Sequence, residues 1–176
     1  MNPIEFFQKN LNQNINYVGL DQSGIIDYHI NSEGFRSSVN YDFSPACAFF
    51  GCSSVFGIGV SESEILSSYF TSSQNYGLAT TYTNENIYQT IIDFMSTKNY
   101  IDTNMVVVWC DKKDVNMIPD FINELPKTIM HFKIGFEPVA NTLTLPAQID
   151  LDISGTHPGP KTHKLWAYAI KKFYKN

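Results

Sequence analysis

Ala46-Cys47-Ala48-Phe49-Phe50-Gly51-Cys52-Ser53-Ser54-Val55-Phe56-Gly57-Ile58-Gly59-Val60 is the stretch on which the reading of this chain turns. It begins as a short apolar run, the pattern of a strand buried on both faces. At Gly51 it breaks into small and hydroxylic residues, with further glycines at 57 and 59. Ser61-Glu62-Ser63-Glu64 then offers a helix start, an N-cap serine with acids in the first turn. A buried strand that turns tightly into a helix presents a side chain at the carboxyl end of a sheet, where open α/β folds bind ligands. That side chain is Ser53, with Cys52 beside it.

Working outward, the spacing predicts helix over residues 62–72, with Ile65, Leu66 and Tyr69 turned to the core, and a short strand over 76–81. Residues 84–97 form the clearest helix before the C-terminus: Ile87, Ile91 and Met95 recur four apart, and Ile92 and Phe94 widen the stripe. Met105-Val106-Val107-Val108-Trp109 is wholly apolar and rich in β-branched residues, as expected of a central parallel strand. Helix over 119–125, strand over 128–136, loop over 137–148 and a short strand over 149–153 follow. A last helix opens at Lys161, with Leu165, Ala169 and Phe173 as its buried seam. Upstream, residues 4–11 read as a short amphipathic helix, and residues 17–30 as a hairpin turning at Ser23-Gly24. Strands alternating with helices imply an α/β fold, a mostly parallel sheet covered on both faces. One domain spans 1–176, with 1–44 as an N-terminal helix and hairpin decoration and 45–176 as the α/β core.

The bulk properties bound the function. The chain has 176 residues, is 43% hydrophobic and carries a formal net charge of −5, so it can build a core without disulfides or metal. The acidic balance argues against nucleic acid as partner. Cys47, Cys52 and Cys110 are an odd set, two of them in apolar runs, which reads as reduced thiols of a cytoplasmic protein. The N-terminus lacks the layout of a signal peptide, and no apolar run reaches the ~20 residues of a membrane span. No zinc-like spacing of Cys, His and carboxylates is present, so neither metal nor cofactor is expected.

Ser53 becomes a nucleophile only with a base, most often histidine; without one, a serine at such a turn is a cap. His157 supplies the candidate, held between Gly155 and Pro158-Gly159-Pro160 ahead of the final helix. His29 and His131 fall on expected strands and His163 in the first turn of the last helix. Cys52 and Cys110 read as small residues of a turn and a strand end rather than as nucleophiles.

Gly51-Cys52-Ser53 with Gly57-Ile58-Gly59-Val60, the upstream Asn31-Ser32-Glu33-Gly34-Phe35-Arg36, and His157-Pro158-Gly159 before the terminal helix resemble, in order and spacing, the motif blocks of the SGNH (GDSL-type) hydrolases. The resemblance covers roughly residues 20–170. It implies a three-layer α/β/α, flavodoxin-like fold. It also implies hydrolysis of a small-molecule or glycan carboxylic ester through an acyl-enzyme on Ser53, with His157 as general base. Ser53 and Gly77, in Asn75-Tyr76-Gly77, are the implied oxyanion donors. The chain departs from the family where Cys52 replaces the aspartate before the nucleophile and Ser154 the acid three residues before the histidine. Asp111 stands where the family has an oxyanion-binding asparagine, and a carboxylate there repels an oxyanion. Ser154 and Asp152 are then the candidates to orient His157. These departures keep a second function open, a catalytically degenerate binding or assembly module on the same fold. A third, an anion cradle at Gly57-Ile58-Gly59, lacks a complete phosphate-binding motif.

Overall fold

A computed structural model describes residues 9–16, 25–42, 44–79, 84–96, 103–109, 128–134 and 142–174. Five strands form an all-parallel sheet: β3 (Cys47–Gly51), β4 (Ser73–Gly77), β5 (Met105–Trp109), β6 (Thr128–Ile134) and β7 (Thr142–Leu145), in spatial order β4-β3-β5-β6-β7. β1 (Gln13–Asn16) and β2 (Asp27–Ile30) make a separate antiparallel pair, Gln13 opposite Ile30 and Asn16 opposite Asp27. Among the described residues the α-helices used below are α1 (Ser53–Phe56), α2 (Asn84–Ser96) and α3 (Pro160–Tyr174).

The two-residue period of the strands sorts the core onto both faces of the sheet. Ala48 and Phe50 of β3, with Val106 and Val108 of β5, meet Ile87, Tyr88, Ile91 and Phe94 of α2. Phe49, Met105 and Val107 project the other way, onto Trp166, Ala167 and Ile170 of α3. Each fully buried aliphatic or aromatic side chain contributes roughly 1.5–3 kcal/mol, so these two clusters are the main stabilising term. The expected α/β class with a parallel sheet is what the chain adopts.

Several elements differ from expectation, each for a local reason. The first strand of the hairpin lies at Gln13–Asn16, before the expected position; the expected turn at Ser23-Gly24 lies outside the described residues, as do residues 119–125 and most of 4–11. Nor is the hairpin a mere decoration. Tyr28 and Ile30 of β2 pack with Ile15 on Phe56 and Ile58, beside the turn that carries Ser53. Residues 62–72 form two 3-10 turns, Glu62–Glu64 and Leu66–Tyr69, rather than one α-helix. The serines there bond to nearby backbone: Ser68 Oγ donates to the Glu62 carbonyl at 2.6 Å, and Ser61 Oγ donates to the Glu64 carboxylate rather than capping.

β4 begins at Ser73, whose buried hydroxyl finds a partner inside: Ser73 Oγ donates to the Ser67 carbonyl at 2.8 Å. The expected loop over 137–148 contains β7. The expected strand over 149–153 is instead a turn with its alternation inverted. Ile149, Leu151 and Ile153 are about half or more exposed, while Asp152 is buried. In α3 the buried face is Thr162, His163, Trp166, Ala167 and Ile170, and Phe173 is 51% exposed, so the seam is displaced from 165/169/173. Two polar contacts set that rotation: His163 Nδ1 accepts from the Leu66 N–H at 3.0 Å, and Trp166 Nε1 donates to the Pro146 carbonyl at 3.0 Å.

His163 is fully buried, and burial, followed by the nearby Arg36 charge, lowers its pKa from 6.5 to about 4. The unfolded chain takes up a proton near the ordinary value while the folded protein does not. The stability contribution of this residue is therefore complete above pH 6.5 and is lost as pH falls toward 4. The loss expected over that window is about 3 kcal/mol. Urea unfolding across the window should show it, and His163→Gln should flatten that part of the profile. An equal profile in the variant would refute the assignment.

Candidate active site

β3 runs out at Gly51, and Cys52 carries the chain into α1, whose first residue is Ser53. α1 is a single turn, closed by Gly57 in the left-handed conformation at φ 82°. A side chain at 57 would collide with Ile65 and approach Arg36, so the position needs glycine for both dihedral and space. The following loop is fixed from below. Arg36, fully buried, donates to the carbonyls of Phe56 at 3.1 Å, Gly57 and Val60, and stacks over the Tyr28 and Phe56 rings. Carbonyl dipoles and ring faces compensate a charge that burial would otherwise make costly. Tyr28 Oη accepts from the Gly59 N–H at 3.0 Å. The hairpin and residues 31–36 thus clamp the turn that carries Ser53.

The other half of the site is the loop leading to α3. Asp150 anchors it by accepting from the backbone N–H of Lys161 at 2.9 Å and of Thr162 at 2.8 Å, at the positive end of the helix. Burial opposes its charge, but the hydrogen bonds from Thr162 and Lys161 outweigh that and hold the carboxyl below its ordinary value. Asp152 organises the next turn. Its Oδ1 accepts from the Thr156 N–H at 3.0 Å and the His157 N–H at 2.9 Å, and its own N–H donates to the His157 carbonyl at 2.8 Å. Its carboxylate sits against Gly59, where any Cβ would lie 2.1 Å from Oδ2. The two loops therefore lock through Gly59.

This packing carries His157 Nε2 to 3.1 Å from Ser53 Oγ, joining groups 104 residues apart in the chain. His157 is one-quarter exposed, and Ser53 is half-buried at the carboxyl end of the sheet. Of the two candidates to orient the histidine, Asp152 lies 3.9 Å from Nδ1 through Oδ2, and Ser154 Oγ donates to that same Oδ2 at 2.7 Å. The group that touches Nδ1 is Thr156 Oγ1, at 2.9 Å. Thr156 was not among the residues expected at the site. Its only signal is adjacency to His157, since a hydroxyl one residue away can reach Nδ1 only in a bent turn.

Gly77 requires a correction as an oxyanion donor. Its N–H donates to Asn75 Oδ1 at 2.8 Å, and Asn75 Nδ2 donates to the Val55 carbonyl at 2.9 Å. Both groups of Asn75-Tyr76-Gly77 are spent on holding α1 against β4. Gly77 is glycine because α1 lies on it: a Cβ would meet Phe56 N at 2.2 Å. The Ser53 N–H, first in its helix, has no intrahelical acceptor and remains the candidate donor. Asp111 and Cys110 lie outside the described residues. Burial pushes the Cys52 thiol up, against a thiolate role beside Ser53. Among the described residues no group of three or more His, Cys, Asp or Glu is placed to share a metal ion, and no helix is long and apolar enough to cross a membrane. Comparisons of the chain with protein-family models, curated proteins and solved structures found no match.

Proposed function

We propose that the protein is a serine hydrolase of carboxylic esters, of the esterase or carbohydrate-deacetylase type, built on a three-layer α/β/α domain of SGNH-hydrolase kind. The observation that carries this reading is the 3.1 Å contact between Ser53 Oγ and His157 Nε2. The sheet supports it. Counted in chain order, its strands lie 2-1-3-4-5, a doubly wound order that binds ligands beside the carboxyl end of its first strand, where Ser53 stands.

In this reading Ser53 Oγ attacks the ester carbonyl as Nε2 takes its proton. The Ser53 N–H faces the developing oxyanion, and Nε2 returns the proton to the leaving alcohol. Water, deprotonated by the same nitrogen, then releases the acid from the acyl-enzyme. Incubation with a fluorophosphonate probe is expected to label Ser53, and the protein to hydrolyse p-nitrophenyl acetate. Absence of both would overturn the proposal.

A second reading, a binding or assembly module without turnover, is favoured by one observation: the Gly77 N–H is already committed to Asn75. Losing one oxyanion donor typically costs on the order of 10²–10³ in rate, so slow but measurable turnover separates the two.

A further inference from the structure

Hydrogen bonds between Asp152 and His157 run through two hydroxyls, and their direction is determined. Ser154 Oγ gives its proton to Asp152 Oδ2 at 2.7 Å. The 2.7 Å contact between Ser154 Oγ and Thr156 Oγ1 then has one assignment: Thr156 donates and Ser154 accepts. Thr156 Oγ1 is left with lone pairs only, so His157 Nδ1, 2.9 Å away, must be the donor. In the neutral imidazole Nε2 is thereby the unprotonated nitrogen, facing Ser53 Oγ. The direct separation of Nδ1 from Oδ2, 3.9 Å, is too long for a hydrogen bond and short enough for charge attraction.

We propose that Asp152 is the acid of this site and acts through Ser154 and Thr156, a two-hydroxyl relay that fixes the tautomer and orientation of His157. Both hydroxyl residues are positioning residues. The consequence for rate rests on the hydrolase reading; the tautomer is a property of the resting protein. No proton travels along the relay. When Nε2 takes the Ser53 proton, Nδ1 keeps its own, and the imidazolium faces a carboxylate whose side chain is 0% exposed. Ser154, where the SGNH pattern has its acid, becomes the first link from a carboxylate two residues upstream.

Thr156→Val separates this arrangement from a direct contact, because only the relay needs that hydroxyl, and Asp152→Asn reverses the direction of the relay. The amide oxygen retains the backbone N–H of Thr156 and His157, and the NH2 now donates to Ser154 Oγ. Ser154 then donates to Thr156, Thr156 donates to Nδ1, and the imidazole proton moves to Nε2, where it blocks proton acceptance.

The test is nitrogen-15 NMR of the full chain at alkaline pH, with the His157 signals assigned by their loss in His157→Gln. Wild type should show the Nδ1–H tautomer, Asp152→Asn the Nε2–H tautomer, Thr156→Val a mixture, and Thr156→Ser the wild-type state. With p-nitrophenyl acetate, kcat should fall on the order of 10²–10⁴-fold in Asp152→Asn at little changed KM, and Thr156→Ser should rescue the loss seen in Thr156→Val. An Nε2–H tautomer in wild type, or one unmoved by Thr156→Val and Asp152→Asn, overturns the relay. Fluorophosphonate labelling of wild type keeps the two ideas apart. If labelling fails while the tautomer moves as stated, the hydrolase reading falls and the relay stands. If Ser53 is labelled while Thr156→Val matches wild type in tautomer and kcat, the relay falls alone.

Discussion

Ser53→Ala, His157→Ala and the double variant are expected to lose ester hydrolysis by about the same factor, on the order of 10⁴–10⁶ where background hydrolysis permits. The equality is the informative part. Ser53 Oγ and His157 Nε2 share one proton across 3.1 Å, so removing either leaves the other without a function. Independent contributions would instead multiply in the double variant. Folding should survive all three changes, because both side chains are partly exposed and neither belongs to the hydrophobic clusters. Rates against p-nitrophenyl acetate, with thermal unfolding as the control, decide it. A Ser53→Ala protein that retains wild-type hydrolysis would falsify the assignment of the nucleophile.

Gly77→Ala is expected to be strongly destabilising, at roughly 3–5 kcal/mol. The added carbon would lie 2.2 Å from Phe56 N and 2.7 Å from Phe56 Cα and the Val55 carbonyl carbon. All three are backbone atoms of α1, so no rotamer relieves the clash. The turn bearing Ser53 would have to lift from β4. For a chain of this length the fall in Tm should be on the order of 10 °C. Gly155→Ala is the comparison: its φ is +73°, yet nothing lies within 4 Å of the new carbon. That change should cost only the left-handed dihedral, about 1–2 kcal/mol. Equal Tm values for the two variants would show that the close approach at Gly77 is relieved cheaply. The same contact ties stability to the site, since shifting α1 moves Ser53 away from His157.

Local pattern carried much of the fold. β3 and β5 were legible because strands buried on both faces have no polar alternation, and α2 because its isoleucines recur at helical spacing. β4 was misplaced because Ser73, Gln74 and Asn75 look like a loop, yet all three are fully buried with partners distant in sequence. Asn75, for instance, reaches back to the carbonyls of α1. The Ile-Asp-Leu-Asp-Ile run at 149–153 misled for the opposite reason. Its alternation is genuine, but the acids face inward to the N–H groups of α3 and of the His157 turn, leaving the aliphatic residues outside. In α3 the expected seam at 165, 169 and 173 leaves out the polar His163, although a backbone N–H 97 residues away holds it in the core.

By itself the sequence determined that a parallel sheet ends in a serine turn, and it singled out His157 as the partner to look for. Periodicity and turn chemistry are local, and a strand, a glycine break and a rigid Gly/Pro loop are written in adjacent residues. Tertiary structure decided the rest: that the hairpin and Arg36 clamp the turn, that Gly77 is a packing contact, and that Asp152 meets His157 through Ser154 and Thr156. Those facts depend on where hydrogen-bond donors lie after the chain has closed on itself. A buried carboxylate takes its position from the donors that satisfy it, and no count of residues along the chain contains that information.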